Sequence, residues 1–210
     1  RGRRDMHSDA KMKGFTMQTP KSICVYCGSS DRGRDSHRTA AYDLGATLAK
    51  NQIRLVYGGG DIGLMGIVAD SVLEHDGDVT GIIPQFLMDM EVGHDGCTEL
   101  IITKSMHERK QRMAELSDAF VILPGGLGTL DEAFEILTWR QLRLHDKPVI
   151  FVNVDDFWSP LLAMIDNQIT ENYVRAEHRH LYDVVARIED ILPMIERSLG
   201  ADISTELSRF

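Results

Sequence analysis

Short apolar runs alternate with longer amphipathic segments through most of the chain. The runs "SICVYCGSS" (22–30), "IRLVYGGG" (53–60) and "AFVILPGG" (119–126) predict strands that end in glycine turns. The segments "HRTAAYDLGATLAKN" (37–51) and "SMHERKQRMAELSD" (105–118) have helical periodicity. Because strands and helices alternate over short connections, the pattern predicts an α/β fold, a Rossmann-like doubly wound parallel sheet in a single domain.

The remaining elements follow the same alternation. Strands are predicted at 78–84, 98–103 and 147–154, and helices at 62–77, 129–145 and 157–173. The domain bounds follow from where the alternation stops. We expect residues 1–20 to be a disordered extension or tag with Met17 as a candidate native start, residues 21–195 to be the folded domain, and residues 196–210 to be a polar C-terminal tail.

Charge is distributed unevenly between the first twenty residues and the rest. The formal net charge is −9, and the first twenty residues hold five basic and two acidic side chains. Residues 21–210 therefore carry 18 basic and 30 acidic residues. Nucleic-acid binding needs a positive face, so this balance argues against it, and any bound anion needs a local site. The basic N-terminal stretch lacks the apolar segment of a secretory signal, and no apolar run is long enough to span a membrane.

The cysteines indicate a reduced protein. Cys24 and Cys27 form one C-x-x-C pair, and Cys97 makes the total odd. Positions 24 and 27 of a strand point to opposite faces of the sheet, and the chain has no second pair that would complete a zinc site. We therefore expect buried strand cysteines, no metal site and a cytoplasmic location.

Three predicted strands end in glycine, in "CGSS", "YGGG" and "LPGG". In doubly wound sheets ligands bind beyond the carboxyl ends of the strands. These glycine turns therefore predict one shared crevice, lined in part by Gly28 and Ser29.

The segment "YGGGDIGLMG" matches the glycine spacing of a dinucleotide-binding fingerprint at Gly58, Gly60 and Gly63. That fingerprint also needs an acidic residue at the end of the next strand. Here the next strand ends in "GIIPQ", with proline where the carboxylate should stand. We therefore interpret these glycines as permitting a tight turn and close packing beside the crevice.

The segment "LPGGLGTLDEAFE" (123–135) combines a glycine turn with the start of a helix. Thr129 and Glu132 have the spacing of a capping box, in which hydroxyl and carboxylate each bind a free backbone N–H. Helix N-termini approached by glycines also bind phosphate. The segment therefore predicts a phosphate site with Gly126, Gly128 and Thr129 as donors, and a Glu132 that both caps the helix and acts on a ligand.

The helix of 105–118 has a charged residue on its apolar side. Ser105 and Glu108 form a second predicted capping box. The buried stripe of this helix is predicted to consist of Met106, Met113 and Leu116. Arg109 lies on that stripe and Lys110 borders it. A buried guanidinium needs an anion, which could be an internal carboxylate or a phosphate ligand, and we favour the ligand.

These residues together resemble the Lonely Guy (LOG) family of cytokinin-activating enzymes. The pair "MHERKQRM" and "PGGLGTLDE" is similar to the family's paired signature, and "GGGDIGLMG", "GIIP", "TWRQL" and "HDKPV" match further family segments. The resemblance covers about residues 22–185. Arg143 stands where a glycine is common in the family.

The resemblance implies a Rossmann-like homodimer with sites near the subunit interface. It also implies hydrolysis of the N-glycosidic bond of adenosine 5′-monophosphate, plain or N6-modified, to free base and ribose 5-phosphate. Family members are often labelled lysine decarboxylases, but no lysine of this chain has the context of a pyridoxal lysine. No cofactor is expected.

The resemblance also assigns roles to residues. It implies that Arg109 and Glu132 are catalytic, and that Glu91, Lys110 and Thr138 contact the nucleotide. The full predicted set of substrate-binding residues is Gly28, Ser29, Glu91, Arg109, Lys110, Gly125, Gly126, Gly128, Thr129, Glu132 and Thr138. The alternative function is a non-catalytic nucleotide-binding sensor or cofactor carrier, which would not need both Arg109 and Glu132.

Overall fold

The computed structural model describes residues 19–90 and 93–207. The expected extension up to residue 18, Glu91 and the last three residues lie outside this described part. The strands are β1 Ser22–Tyr26, β2 Arg54–Tyr57, β3 Val79–Pro84, β4 Glu99–Thr103, β5 Ala119–Ile122, β6 Val149–Val152 and β7 Asp183–Val185. The α-helices are α1 Asp35–Lys50, α2 Gly63–Glu74, α3 Gln85–Met88, α4 Met106–Glu115, α5 Leu127–Gln141, α6 Ser159–Thr170 and α7 Ile191–Leu207. Short 3-10 helices lie at Val154–Asp156, Ala176–Leu181 and Ile188–Asp190.

The seven strands form one parallel sheet in the order β4-β3-β2-β1-β5-β6-β7. From β1 the chain moves outward to β4, and then returns to place β5 on the other side of β1. Cys24 accordingly pairs with Val56 of β2 on one side and with Phe120 of β5 on the other. The direction of winding therefore reverses between β1 and β5, which is where doubly wound sheets open a ligand crevice. The predicted fold class is confirmed.

Both faces of the sheet are buried under helices. One apolar cluster joins the sheet to α1, α2 and α7, and a second joins it to α4, α5 and the start of α6. Cys24 belongs to the second cluster and Cys27 to the first, so the prediction that they face opposite sides is confirmed. Cys97 departs from the prediction, because it precedes edge strand β4, where it is half-buried with its sulfur 3.4 Å from the Tyr57 hydroxyl.

The C-terminal end of the fold differs from the sequence prediction. β7 and α7 were both missed, and α7 crosses the predicted start of a tail at residue 196. Ile191 and Ile195 of α7 are fully buried against the sheet, and Leu199 packs partly against the same cluster. These apolar contacts keep the helix on the sheet beyond residue 195. None of the helices among the described residues is long and apolar enough to cross a bilayer.

Helix α5 ends in a backbone conformation that favours glycine. Arg143 has φ 59°, in the left-handed region. The Arg143 N–H donates to the Arg140 carbonyl at 3.0 Å, and the Leu144 N–H donates to the Trp139 carbonyl at 2.9 Å. This is the pattern of a Schellman motif, whose left-handed residue is usually glycine because it has no Cβ. The glycine that the family resemblance implies at this position would have a conformational reason, and Arg143 adopts this backbone with strain.

We predict that Arg143→Gly stabilises the fold by about 1 kcal/mol, because it relieves the cost of a left-handed non-glycine residue. Arg143→Ala is the matched control, since it removes the same charge but keeps the Cβ and the strain. Thermal unfolding of the three proteins measures the difference. A melting temperature that rises equally in both variants would contradict this prediction, because the destabilisation would then come from the Arg143 side chain and not from its backbone conformation.

Candidate active site

A crevice with a volume of about 400 Å³ lies beyond the carboxyl ends of β1, β2, β3 and β5. Its lining includes seven of the predicted site residues, namely Gly28, Ser29, Arg109, Gly126, Gly128, Thr129 and Glu132. A larger open groove of about 880 Å³ runs beside α1, but it contains none of the predicted residues. We take the crevice as the candidate site, because it lies at the switch point and because the predicted residues converge on it.

Arg109 crosses the ends of two neighbouring strands. Its side chain is buried, its Nε donates to the Ile82 carbonyl at 3.0 Å and its Nη2 donates to the Gly58 carbonyl at 3.1 Å. Its Nη1 lies 3.6 Å from Oε1 of Glu132. The prediction that Arg109 turns inward is confirmed. Of the two anionic partners left open, the structure shows the internal carboxylate, while the guanidinium still lines the crevice.

Glu132 is not a capping residue. Helix α5 begins at Leu127 with Gly126 as N-cap and without a side-chain cap, so the predicted Thr129–Glu132 capping box was wrong. The glycine turn enters the helix earlier than expected, which places Thr129 in the first turn and Glu132 in the second. The carboxylate is therefore free to face Arg109. The hydroxyl half of the other predicted box is confirmed, since the Glu108 N–H donates to the Ser105 hydroxyl at 3.2 Å. The Glu108 carboxylate accepts instead from the Lys104 N–H, at 2.8 Å, one residue before the N-cap.

Burial controls the protonation of Glu132. Only 11% of its side chain is exposed. Removal from water raises the pKa of Glu132 to about 7, and the Arg109 charge opposes part of this rise. The carboxylates of Asp131 and Glu135 also raise this pKa. Glu132 therefore changes its charge near neutral pH, where a group that handles protons in a reaction is most useful.

Lys110 is directed away from the crevice. Its buried ammonium lies 3.0 Å from Oδ2 of Asp131 and 3.1 Å from Oε1 of Glu135. These carboxylates belong to α5, on either side of Glu132 in the sequence. The structure therefore shows Lys110 as a link between α4 and α5. Its family-implied contact with the nucleotide stays a prediction.

Of the two further predicted contacts, Thr138 does not line the crevice. Thr138 is exposed on α5, and its hydroxyl donates to the Phe134 carbonyl at 2.7 Å. Glu91 lies outside the described residues. The geometry of the crevice therefore gives no support to the predicted role of Thr138, and the role of Glu91 in nucleotide binding stays a prediction.

The glycine turn before α5 is open on the crevice side. A Cβ added at Gly126 or Gly128 would have no heavy atom within 4 Å, whereas one at Gly125 would overlap Thr129 and lie 2.9 Å from the Gly28 nitrogen. The protein's own packing thus requires a glycine at position 125 but leaves free space beside 126 and 128. The first N–H groups of a helix lack intrahelical acceptors, and they attract anions together with the helix dipole.

The apolar wall of the crevice was not predicted from the sequence. The wall consists of Cys27, Ile62, Met65, Ile83 and Leu87. Three of its members, Ile62, Met65 and Ile83, lie in the segments "GGGDIGLMG" and "GIIP", which were interpreted as turn, helix and strand and as family segments but not as part of a binding wall. The crevice is therefore mixed in character, lined by glycines, by the charged side chains of Arg109 and Glu132 and by apolar side chains. Among the described residues, no three histidine, cysteine or carboxylate side chains are grouped as metal ligands.

Comparisons with known proteins agree with this geometry. A family model described as "Possible lysine decarboxylase" matches residues 65–195. Cytokinin riboside 5′-monophosphate phosphoribohydrolase LOG5 of Arabidopsis thaliana is 43% identical over 176 residues, which cover 84% of this chain and 77% of that protein. The chain belongs to the Lonely Guy (LOG) family. Cytokinin riboside 5′-monophosphate phosphoribohydrolase LOG of Oryza sativa subsp. japonica is also 43% identical, and the match covers 87% of this chain and 78% of that protein.

Solved structures show the same fold at lower identity. The molybdenum cofactor binding protein from the phototrophic bacterium Rippkaea orientalis has a TM-score of 0.66 and 23% identity, and the match covers 88% of this chain and 99% of that chain. The Moco carrier protein from Chlamydomonas reinhardtii has a TM-score of 0.65 and 20% identity. These similarities place the LOG-family chain in a wider set of proteins with the Rossmann-like architecture.

We predict that Glu132 makes stability depend on pH. Its folded-state pKa lies above its ordinary value of 4.5, so the folded state binds the extra proton between pH 4.5 and about 7. The stability contributed by neutral Glu132 is therefore fully present below 4.5 and is lost as the pH rises through 7. Glu132→Gln stays neutral, so its stability relative to the wild type should increase over this range by up to about 3 kcal/mol.

Urea unfolding at pH 4.5 and pH 8 measures this difference. Glu171→Gln, at the exposed end of α6, controls for the loss of one surface charge. An equal free-energy difference between wild type and Glu132→Gln at both pH values would show that Glu132 titrates alike in the folded and unfolded chain.

Proposed function

We propose that this protein hydrolyses the N-glycosidic bond of adenosine 5′-monophosphate or its N6-modified derivatives. The products are free base, either adenine or a cytokinin, and ribose 5-phosphate. The observation that carries the proposal is the pairing of Arg109 with a largely buried Glu132 in the crevice, beside the open N-terminus of α5. The names of the related LOG proteins, which are cytokinin riboside 5′-monophosphate phosphoribohydrolases, support the same reaction.

The 5′-phosphate binds at the start of α5. The N–H groups around Gly126, Gly128 and Thr129 donate to its oxygens, and the helix dipole favours its charge. The free space beside Gly126 and Gly128 supports this placement, since a side chain at either position would occupy the approach to the helix end. Binding the phosphate fixes the ribose relative to Glu132, which lowers the entropic part of the barrier.

Glu132 acts on the ribose end of the scissile bond. Cleavage passes through an oxocarbenium-like state, which a carboxylate stabilises. Ionised Glu132 orients a water molecule and takes its proton as the oxygen bonds to C1′. The electron pair of the broken C–N bond leaves with the base, which takes up one proton from solvent, and Glu132 then returns the proton of the water to solvent. Arg109, held by two main-chain carbonyls, anchors the nucleotide and assists the departure of the base.

The apolar wall of Ile62, Met65, Ile83 and Leu87 supports binding of the base and of an N6 substituent. Aliphatic groups gain about 25 cal/mol per Å² of apolar surface removed from water. Both plain and N6-modified nucleotides are therefore proposed substrates.

A carrier or sensor that binds a nucleotide without reaction is the second candidate. The observation that favours it is the shared fold with a Moco carrier protein, which is a similarity of architecture. A carrier needs the open helix end but has no need for a desolvated carboxylate beside an arginine. The hydrolase accounts for both features.

We predict that the purified protein releases base and ribose 5-phosphate from AMP and from isopentenyl-AMP. Glu132→Gln and Arg109→Ala should each lower kcat/KM by about 10²–10⁴-fold, and wild-type activity should rise with pH towards 7, because Glu132 must be ionised. Chromatography of the products measures this, and Glu171→Gln is the control. Tight nucleotide binding without release of base would reject the hydrolase and favour the carrier.

We also propose a homodimer with the crevice near the interface. Large apolar side chains are exposed on α5 and at its end, including Leu127 at 87% and Leu142 at 61%. Leu127 also lines the crevice, so a partner on this face would border the site. Sedimentation velocity should give twice the mass of one chain, and a single-chain mass at all concentrations would contradict the dimer.

A cytoplasmic location is proposed on the cysteine chemistry. Cys24, Cys27 and Cys97 are free thiols in the structure, and two of them are buried. Free thiols are typical of a reducing compartment.

A further inference from the structure

The space that Arg109 occupies exists because residue 58 has no side chain. Gly58 follows β2, and Ile82 lies in the neighbouring strand β3. The guanidinium lies across both, bound to their carbonyls. A Cβ added at Gly58 would overlap Nη2 of Arg109 and would lie 3.1 Å from its Cζ. An alanine at this position and the observed Arg109 therefore cannot coexist.

The other glycines of this run have different requirements. Gly59 and Gly63 have φ angles of +73° and +67°, which side chains rarely adopt. Gly58 has no such backbone requirement, since its φ is not in the left-handed region. The first atoms that its added Cβ would meet belong to the Arg109 guanidinium. The glycine at position 58 is thus explained by Arg109 and not by the turn.

We propose that Gly58 is a positioning residue for the reaction, because its missing side chain lets Arg109 lie across the strand ends beside Glu132. The effect on activity rests on the proposed hydrolase function. The effect on Arg109 itself does not, since it follows from the packing at the end of β2. Gly58 belongs to the glycines whose spacing matches a dinucleotide fingerprint. Its missing side chain leaves the space in which the Arg109 guanidinium lies.

An alanine at position 58 should displace the guanidinium and leave the fold intact. The overlapping atoms are the end of a flexible side chain, so Arg109 can withdraw without movement of the main chain. Withdrawal breaks the bond to the Gly58 carbonyl and takes the positive charge away from Glu132. Because that charge lowers the pKa of Glu132, its loss raises this pKa further.

A double-mutant cycle tests the proposal with Gly58→Ala, Arg109→Ala and the combined variant. Gly58→Ala alone should lower kcat/KM by about 100-fold, as expected for a displaced catalytic group. Added to Arg109→Ala, it should change kcat/KM by no more than about twofold, because the space is already empty. Gly33→Ala is the matched control, since a Cβ there meets no heavy atom within 4 Å and Gly33 does not line the crevice.

A second readout does not require activity. Gly58→Ala should move the pH dependence of unfolding that is due to Glu132 to higher pH, and should leave it unmoved in the Arg109→Ala background. If Gly58→Ala fails to fold and the double variant folds, the clash with Arg109 is shown directly. Equal effects of Gly58→Ala with and without Arg109, in activity and in this pH dependence, would overturn the proposal. If the wild type releases no base but Gly58→Ala still shifts the pH dependence as expected, the hydrolase is rejected. The role of Gly58 in positioning Arg109 is then retained.

Discussion

The candidate site depends on one largely buried pair, the Arg109 guanidinium and the Glu132 carboxyl. Neither group is fully solvated, and an ion pair removed from water is favourable only when further hydrogen bonds satisfy its polar atoms. For Arg109 these bonds come from the carbonyls of Gly58 and Ile82, at the ends of adjacent strands. For Glu132 the compensation is incomplete, which is why burial keeps its pKa near 7. The pair is thus both a structural constraint and the source of the proposed reactivity.

The winding of the sheet places this pair in the crevice. The glycine turns after β1 and β5 meet where the winding reverses, and the Gly28 N–H donates to the Pro124 carbonyl at 3.0 Å across this point. Helix α5 starts from that junction and places Glu132 one turn behind its open end. Lys110 then ties α4 to α5 through carboxylates on either side of Glu132 in the sequence. The proposed phosphate site and the position of Glu132 therefore depend on the same few turns of chain.

Much of this could be predicted from sequence, because it rests on local periodicity. The alternation of strands and helices predicts the parallel sheet, and the stripe of Met106 and Met113 predicts that Arg109 turns inward. What could not be predicted depends on contacts between distant segments. The capping box at Thr129 failed because Gly126, supported by the preceding turn, starts α5 earlier. The role of Gly58 and the apolar wall of the crevice also depend on residues that are distant in sequence. β7 and α7 pack at the far edge of the sheet through buried apolar side chains such as Val185 and Ile191.

The most direct test of this account is the titration of the Glu132 carboxyl in the free protein. Carbon-13 NMR of glutamate-labelled protein measures it, and the resonance absent from Glu132→Gln identifies the residue. We expect a midpoint near pH 7, because burial raises the pKa of Glu132 and the charge of Arg109 offsets only part of that rise. A midpoint near 4.5, the ordinary value for glutamate, would contradict it, because the carboxyl would then be as well solvated as one on the surface.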